Sequence, residues 1–158
     1  MQKIIRIAVV LTTCLLVGYF SGMVTRDSIT TWYPTLVKPS FNPPKLVFAP
    51  VWTILYIMMG VAAGMVWNRL EKDPENVKKA FTFFIIQLAL NAAWSVIFFY
   101  LHNPFLALLE IILFWLIIFE TYTQFKKIDK IAGLLLIPYL AWVSFATVLN
   151  ASIWWLNR

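Results

Sequence analysis

LVFAPVWTILYIMMGVAAGMVWN, residues 46–68, lies between Lys45 and Arg69 and contains no charged side chain. A helix rises about 1.5 Å per residue, so about 20 apolar residues cross a hydrocarbon core about 30 Å thick. The segment therefore reads as a membrane-spanning helix, and the rest of the chain repeats its pattern. No charge occurs between Arg6 and Arg26. From Ala80 to Leu109 the chain is again uncharged, interrupted by His102-Asn103-Pro104. That triplet reads as a tight turn whose proline opens the next helix. Phe105 to Phe125 follows, with Glu110 and Glu120 inside it, and the last span runs from Ile131 to Asn157. Helices are expected at about 5–24, 46–69, 79–101, 104–125 and 130–156, with residues 25–45 as a long first loop. The fold class is an all-α membrane protein, a single domain over 1–158 built as a bundle of five transmembrane helices.

Composition agrees. Of the 158 residues, 61% are apolar and 13% are charged, against roughly 25% charged in a soluble domain. The mean hydropathy is +0.79. Alternation of period two is absent and the apolar runs exceed the length of barrel strands, which argues against a β-barrel. The first apolar run is long for a cleaved leader. Cys14, the one cysteine, stands in an apolar run and reads as a small buried hydrophobe.

The net charge of +6 follows membrane topology rather than nucleic-acid binding, because no basic stripe interleaves with exposed aromatics. Nine basic residues fall on one side: Lys3, Arg6, Arg69, Lys72, Lys78, Lys79, Lys126, Lys127 and Lys130. Four fall on the other: Arg26, Lys38, Lys45 and Arg158. This asymmetry places the N-terminus inside, with the first loop and the C-terminus outside. Five spans do not divide into two equal halves, which argues against inverted-repeat transporters.

Enzyme constellations are missing. The acids do not cluster with His102, the only histidine, and no metal-ligand spacing, nucleophile–base pair or phosphate loop is visible. His102 reads as a solvated turn residue or, alternatively, an iron ligand. Glu110 and Glu120 each lie close enough to a helix end to snorkel to the headgroups, although an acid inside a span is a functional candidate by default.

The third helix carries more information. Gln87, Asn91 and Ser95 share one face, with Trp94 on the same side. An unpaired amide in hydrocarbon costs several kcal/mol, so this face must meet other helices or a cavity. Helix–helix hydrogen bonding and a pocket wall are both open. The fifth helix has a matching face of Tyr139, Trp142, Ala146 and Leu149, with Pro138 breaking the backbone ladder just before it. Trp142 lies too deep for a headgroup belt, and Trp52 and Tyr56 add aromatic surface from the second helix. Gly18 with Gly22, Gly60 with Gly64, and Ala89 with Ala93 are spaced for close helix contact within the bundle or between copies. Pro34, Pro39, Pro43 and Pro44 stiffen the first loop, which carries Trp32, Tyr33 and Phe41 and suits a lid over the bundle mouth.

The run Trp32-Tyr33-x-x-Leu36-x-Lys38-Pro39-x-Phe41-x-Pro43-Pro44 resembles the first loop of the translocator protein, or peripheral-type benzodiazepine receptor (TspO/MBR), family. Similar motifs follow in order: Val47-Phe48-x-Pro50-Val51-Trp52-x-x-Leu55-Tyr56-x-x-Met59-Gly60, then Gln87-Leu88-x-Leu90-Asn91-x-x-Trp94-Ser95, then Pro138-Tyr139-Leu140-x-Trp142-x-x-Phe145-Ala146-Thr147-x-Leu149-Asn150. The chain is thus identified as a member of that family, of the bacterial kind, which would place it in the cell membrane.

The resemblance implies a homodimer of five-helix bundles, without a tightly bound cofactor. Each bundle would bind porphyrins, such as protoporphyrin or haem, or isoquinoline- and benzodiazepine-type ligands beneath the first loop. The implied ligand-binding residues are Tyr33, Trp52, Asn91, Trp94, Trp142, Ala146 and Leu149. Some family members degrade protoporphyrin in light, and for that reaction Trp52 and Trp142 would be catalytic. A receptor or carrier, a light-dependent enzyme and a scaffold without turnover are thus the three readings. The C-terminal segment Leu149–Arg158 lacks the tyrosine of the sterol motif found in some animal members, so cholesterol is not expected as a partner through it.

Overall fold

The computed structural model describes residues 1–158. Six α-helices follow one another: α1 Gln2–Thr30, α2 Lys45–Trp67, α3 Pro74–Ser95, α4 Pro104–Ile128, α5 Lys130–Leu134 and α6 Ile137–Leu156. A π-helical turn, Val96–Tyr100, extends α3, and α5 leads into α6, so five segments are long and apolar enough to cross a membrane. The protein is a multi-pass integral membrane protein.

Local chemistry sets the helix starts. Pro74 and Pro104 occupy first turns, where a missing N–H costs nothing. The side chains of Asp73 and Asn103 cap those ends by accepting from the N–H of Asn76 at 3.4 Å and of Leu106 at 3.0 Å. Pro138 lies in the first turn of α6, just after the break at Leu135–Leu136, so the fifth span is two helices rather than the one expected at 130–156. The first helix also differs from the expected 5–24. It runs on through Arg26 and Asp27 to Thr30, because charge limits the part of a helix that lipid can cover and not the helix itself. The first loop is correspondingly shorter.

α1 packs along α2, α3 along α4, and α4 along α6. The α1–α2 seam is closest at Gly60 and Gly64. A Cβ added there would stand 2.5 Å from the Cα of Leu11 and of Ile7, so the two backbones touch only because these residues lack side chains. At the same end, Arg6 pairs with Glu71 at 2.7 Å and Arg69 with Asp129 at 3.0 Å. Asp129 also caps α5, accepting from the N–H of Ile131 at 3.0 Å and of Ala132 at 3.2 Å. Partial burial raises the Asp129 carboxyl, but the Arg69 guanidinium and these two N–H groups outweigh it and hold the group below its ordinary value.

Glu110 does not behave as a snorkelling group. Both carboxyl oxygens of Glu110 are buried without a hydrogen-bond partner, while Glu120 accepts from Gln124 Nε2 at 2.5 Å. The opposite end of the bundle holds the first loop, the His102 turn and the C-terminus, and the candidate site lies just beneath it.

Candidate functional site

A cavity of about 370 Å³ lies between α1, α2, α3 and α6 under the first loop. Its volume is in the range of small-molecule sites, roughly 300–1,000 Å³. Tyr33, Trp52, Asn91, Trp94, Trp142, Ala146 and Leu149, the seven ligand-binding candidates, all line it.

The floor is a buried hydrogen-bond network joining three helices. The Tyr56 hydroxyl donates to Asn91 Oδ1, Asn91 Nδ2 donates to the Tyr139 hydroxyl at 2.9 Å, and Tyr139 donates to Gln87 Oε1 at 2.8 Å. The stripe Gln87–Asn91–Ser95 therefore serves both open readings: it bonds helices together, and Asn91 and Ser95 also face the cavity. Asn91 retains one N–H and part of its carbonyl for a ligand, since an amide offers two donors and two acceptor lone pairs.

The walls are aromatic. Trp52 and Trp142 stand edge to face, with centroids 6.5 Å apart and planes at 89°. Trp52 also meets the rings of Tyr56 at 5.9 Å and Tyr139 at 6.3 Å. Phe48 and Phe145 flank Trp142. The two deep tryptophans from α3 and α6 differ in one respect. The Trp94 indole N–H donates to Asn150 Oδ1 at 3.1 Å, and Asn150 in turn donates to the Pro104 carbonyl at 2.8 Å. The Trp142 indole N–H is buried without any partner. A buried donor normally finds an acceptor, so this unpaired N–H is an unmet hydrogen-bonding group in the wall of the site.

The π turn shapes the end of the site nearest the loop. In it, Leu101 N–H bonds the Val96 carbonyl and Asn103 N–H bonds the Ile97 carbonyl. The freed Phe99 carbonyl accepts from Ser28 Oγ at 2.5 Å, tying α1 to the turn, while the Phe98 and Phe99 rings reach the cavity. His102 adopts a positive φ of 51°, stacks on Trp32 with centroids 4.3 Å apart, and has Nε2 3.1 Å from Ser28 Oγ. It lies outside the cavity lining and acts as a foothold for the loop.

The loop is held in several places. The Tyr33 hydroxyl donates to Asn42 Oδ1 at 2.6 Å, and burial pushes it up to about 12 despite that bond, so it remains a neutral donor. Lys38 Nζ donates to the carbonyls of Tyr33 at 2.8 Å and Leu36 at 2.7 Å, which occupies it structurally. Val37 exchanges two 2.9 Å hydrogen bonds with the Asn157 side chain at the end of α6. Of the loop-side cations, Lys45 lines the cavity and Arg26 does not.

One wall went unread in the sequence. α1 contributes Leu15, Gly18, Tyr19, Ser21, Gly22, Thr25 and Ile29, a face whose glycine pair suggests packing rather than a site. Only the absence of anything within 4 Å of a Cβ built on Gly22 distinguishes that glycine from the packed ones.

Five apolar spans around an aromatic cavity with few polar groups fit a membrane receptor or sensor. The TspO/MBR family matches residues 9–156, and the chain belongs to it. It is 44% identical to the tryptophan-rich protein TspO of Chlorobaculum tepidum, over 99% of this chain and 98% of the relative. It is 39% identical to the tryptophan-rich sensory protein of Cereibacter sphaeroides, over 75% and 72% of the two chains. Identity to the translocator protein of Bos taurus is 34%, over 89% of this chain and 83% of the relative.

Proposed function

We propose that the cavity binds porphyrins such as protoporphyrin and haem, and also isoquinoline- and benzodiazepine-type molecules, and that the protein acts as a membrane receptor or carrier in tetrapyrrole handling or stress response. The observation that carries this reading is the pair Trp52 and Trp142, which line the cavity in edge-to-face contact with each other. A flat macrocycle stacks against such rings, each aromatic pair adding about 0.5–1.5 kcal/mol beyond area burial. Asn91 and Lys45, which both line the cavity, offer it an amide and a cation for polar contacts.

The test is quenching of tryptophan fluorescence by protoporphyrin on the purified protein. Trp142→Ala removes a central ring and should weaken binding by roughly thirtyfold, the equivalent of about 2 kcal/mol. Circular dichroism checks the fold, and unchanged affinity would sink the reading.

A second reading has its own support. The ring of Trp52 adjoins those of Trp142, Tyr56 and Tyr139, a cluster of oxidisable aromatics beside the bound ligand. Light-dependent porphyrin degradation by Trp52 and Trp142 is therefore the enzymatic alternative. Loss of porphyrin absorbance under illumination, in wild type but not in Trp52→Phe/Trp142→Phe, distinguishes it from binding alone. A scaffold without turnover would bind and do neither.

We further propose that the N-terminus lies inside and the C-terminus outside, in the cell membrane of a bacterial host, as the basic-residue asymmetry directs. Reporter fusions at Arg158 that read as cytoplasmic would reverse this. The protein is also proposed to form a homodimer through Ala89 and Ala93 on the outer side of α3, where small residues let backbones approach. Crosslinking in bilayers that is unchanged by replacing both with Leu would exclude that face.

A further inference from the structure

The cavity is held shut above and is open at its side. Above it, the Val37–Asn157 clasp, the Lys38 bonds and the Trp32–His102 stack fix the first loop. At the side, α1 and α2 touch backbone to backbone at the far end, at Gly60 and Gly64. Toward the loop they part. A Cβ on Gly18 would meet the Tyr56 ring at 2.6 Å, and one turn on, a Cβ on Gly22 would meet nothing within 4 Å. The cavity wall follows the gap. Tyr19, Gly22, Ala49 and Thr53 line the cavity, and each is also exposed. A residue that lines a cavity and faces the surroundings marks the rim of an opening. Lys45 stands at the loop end of this rim, exposed, lining the cavity and in no ion pair.

We propose that the gap between α1 and α2 is the entrance to the pocket, that it opens into the loop-side leaflet of the bilayer rather than to water, and that it admits flat lipophilic anions. The apolar body passes between the small residues Gly22, Ala49 and Thr53, which leave little side chain to displace. The carboxylates stay at headgroup level, where Lys45 meets them. Entry by this route leaves the loop bonds intact. An amphiphile already partitioned into the leaflet also reaches the pocket without returning to water. The inference rests on the cavity being the ligand site proposed above.

The experiment uses the full chain reconstituted in lipid nanodiscs, with protoporphyrin and its dimethyl ester as probes and stopped-flow tryptophan quenching as readout. Gly22→Trp plugs the gap from α1, and Thr53→Trp plugs it from α2. Val37→Cys with Asn157→Cys latches the loop when oxidised, and its reduced form is the control. With entry from the side, either plug slows both association and dissociation by about tenfold or more, and the oxidised latch changes neither rate. Lys45→Gln slows association of the diacid and not of the ester. Wild-type rates in both plugged variants, with entry blocked by the oxidised latch, would overturn the proposal and place the entrance at the loop. Absence of equilibrium quenching in the wild type would instead refute the pocket as the porphyrin site, a result the rate measurements cannot imitate.

Discussion

Asn91 donates its amide N–H to the Tyr139 hydroxyl at 2.9 Å, and the two residues are 3% and 1% exposed. The same amide accepts from Tyr56, so one side chain joins α2, α3 and α6 beneath the cavity. Asn91→Leu would leave the Tyr56 hydroxyl without this acceptor and Tyr139 without this donor. A buried polar group stripped of its partner costs about 1–3 kcal/mol. The variant should therefore unfold at a distinctly lower temperature in detergent, even without ligand. Asn91→Asp keeps the acceptor for Tyr56 and should fall less far than Leu if the Tyr56 bond dominates. Wild-type thermal stability in Asn91→Leu would mean that the network contributes nothing.

The two glycines Gly64 and Gly22 should respond in opposite ways. At Gly64 the obstacle is the Ile7 backbone, which cannot swing aside as a flexible side-chain end can. Gly64→Leu must therefore separate α1 from α2, and overpacking of this kind costs about 1–3 kcal/mol or more. Gly22→Ala meets open space and gains helix propensity, so its thermal stability should equal or slightly exceed wild type. Equal losses in the two variants would contradict the divergence of the helices.

Much of the architecture could be read from charge alone, because a charged side chain is costly in lipid whatever the tertiary contacts. The run 46–68 and its counterparts mark five spans for that reason. The helix ends could not be read in the same way. α1 continues through Arg26 and Asp27 into water, where the charge rule no longer applies. In the site, deep aromatics and intramembrane amides pointed to α3 and α6, since those groups are hard to place against lipid. The α1 wall carries glycines and small apolar side chains that suit lipid, packing and cavity equally. Nor does sequence distinguish the satisfied N–H of Trp94 from the free one of Trp142. That difference depends on where Asn150 stands across the bundle. The π turn at Val96–Tyr100 has no turn-forming residue to announce it.

At the end away from the loop, Asp129 should make stability depend on pH. Its folded-state carboxyl lies below the ordinary value, chiefly through Arg69 and the α5 cap acting against partial burial. Stability from this group is therefore complete above the ordinary carboxylate range and is lost as pH falls through the lower, folded-state value. Asp129→Ala should lose the cap, about 1 kcal/mol, and flatten that acid limb. Thermal unfolding measured from neutral to strongly acidic pH provides the check. An acid limb of equal steepness in wild type and Asp129→Ala would assign it to other carboxyls.

Glu110 is the one acid in a span whose two carboxyl oxygens are both buried and without hydrogen bonds, and Glu120 provides the comparison because Gln124 satisfies it. Ala107, Ile111 and Phe114 on the neighbouring stripe of α4 are buried against the core, which leaves Glu110 at the edge of a packed surface. A buried carboxyl without a partner lowers stability, and an apolar residue of similar size avoids that cost. Glu110→Leu should therefore raise the unfolding temperature in detergent, by an amount corresponding to about 1–3 kcal/mol. Glu110→Gln, which keeps two polar atoms in the same place, should gain less. Glu120→Leu strands the Gln124 amide and should lower stability. Protoporphyrin affinity should not change in Glu110→Leu, because Glu110 does not line the cavity. A fall in stability on Glu110→Leu would reveal that the carboxyl has a bonding partner in the membrane-embedded protein.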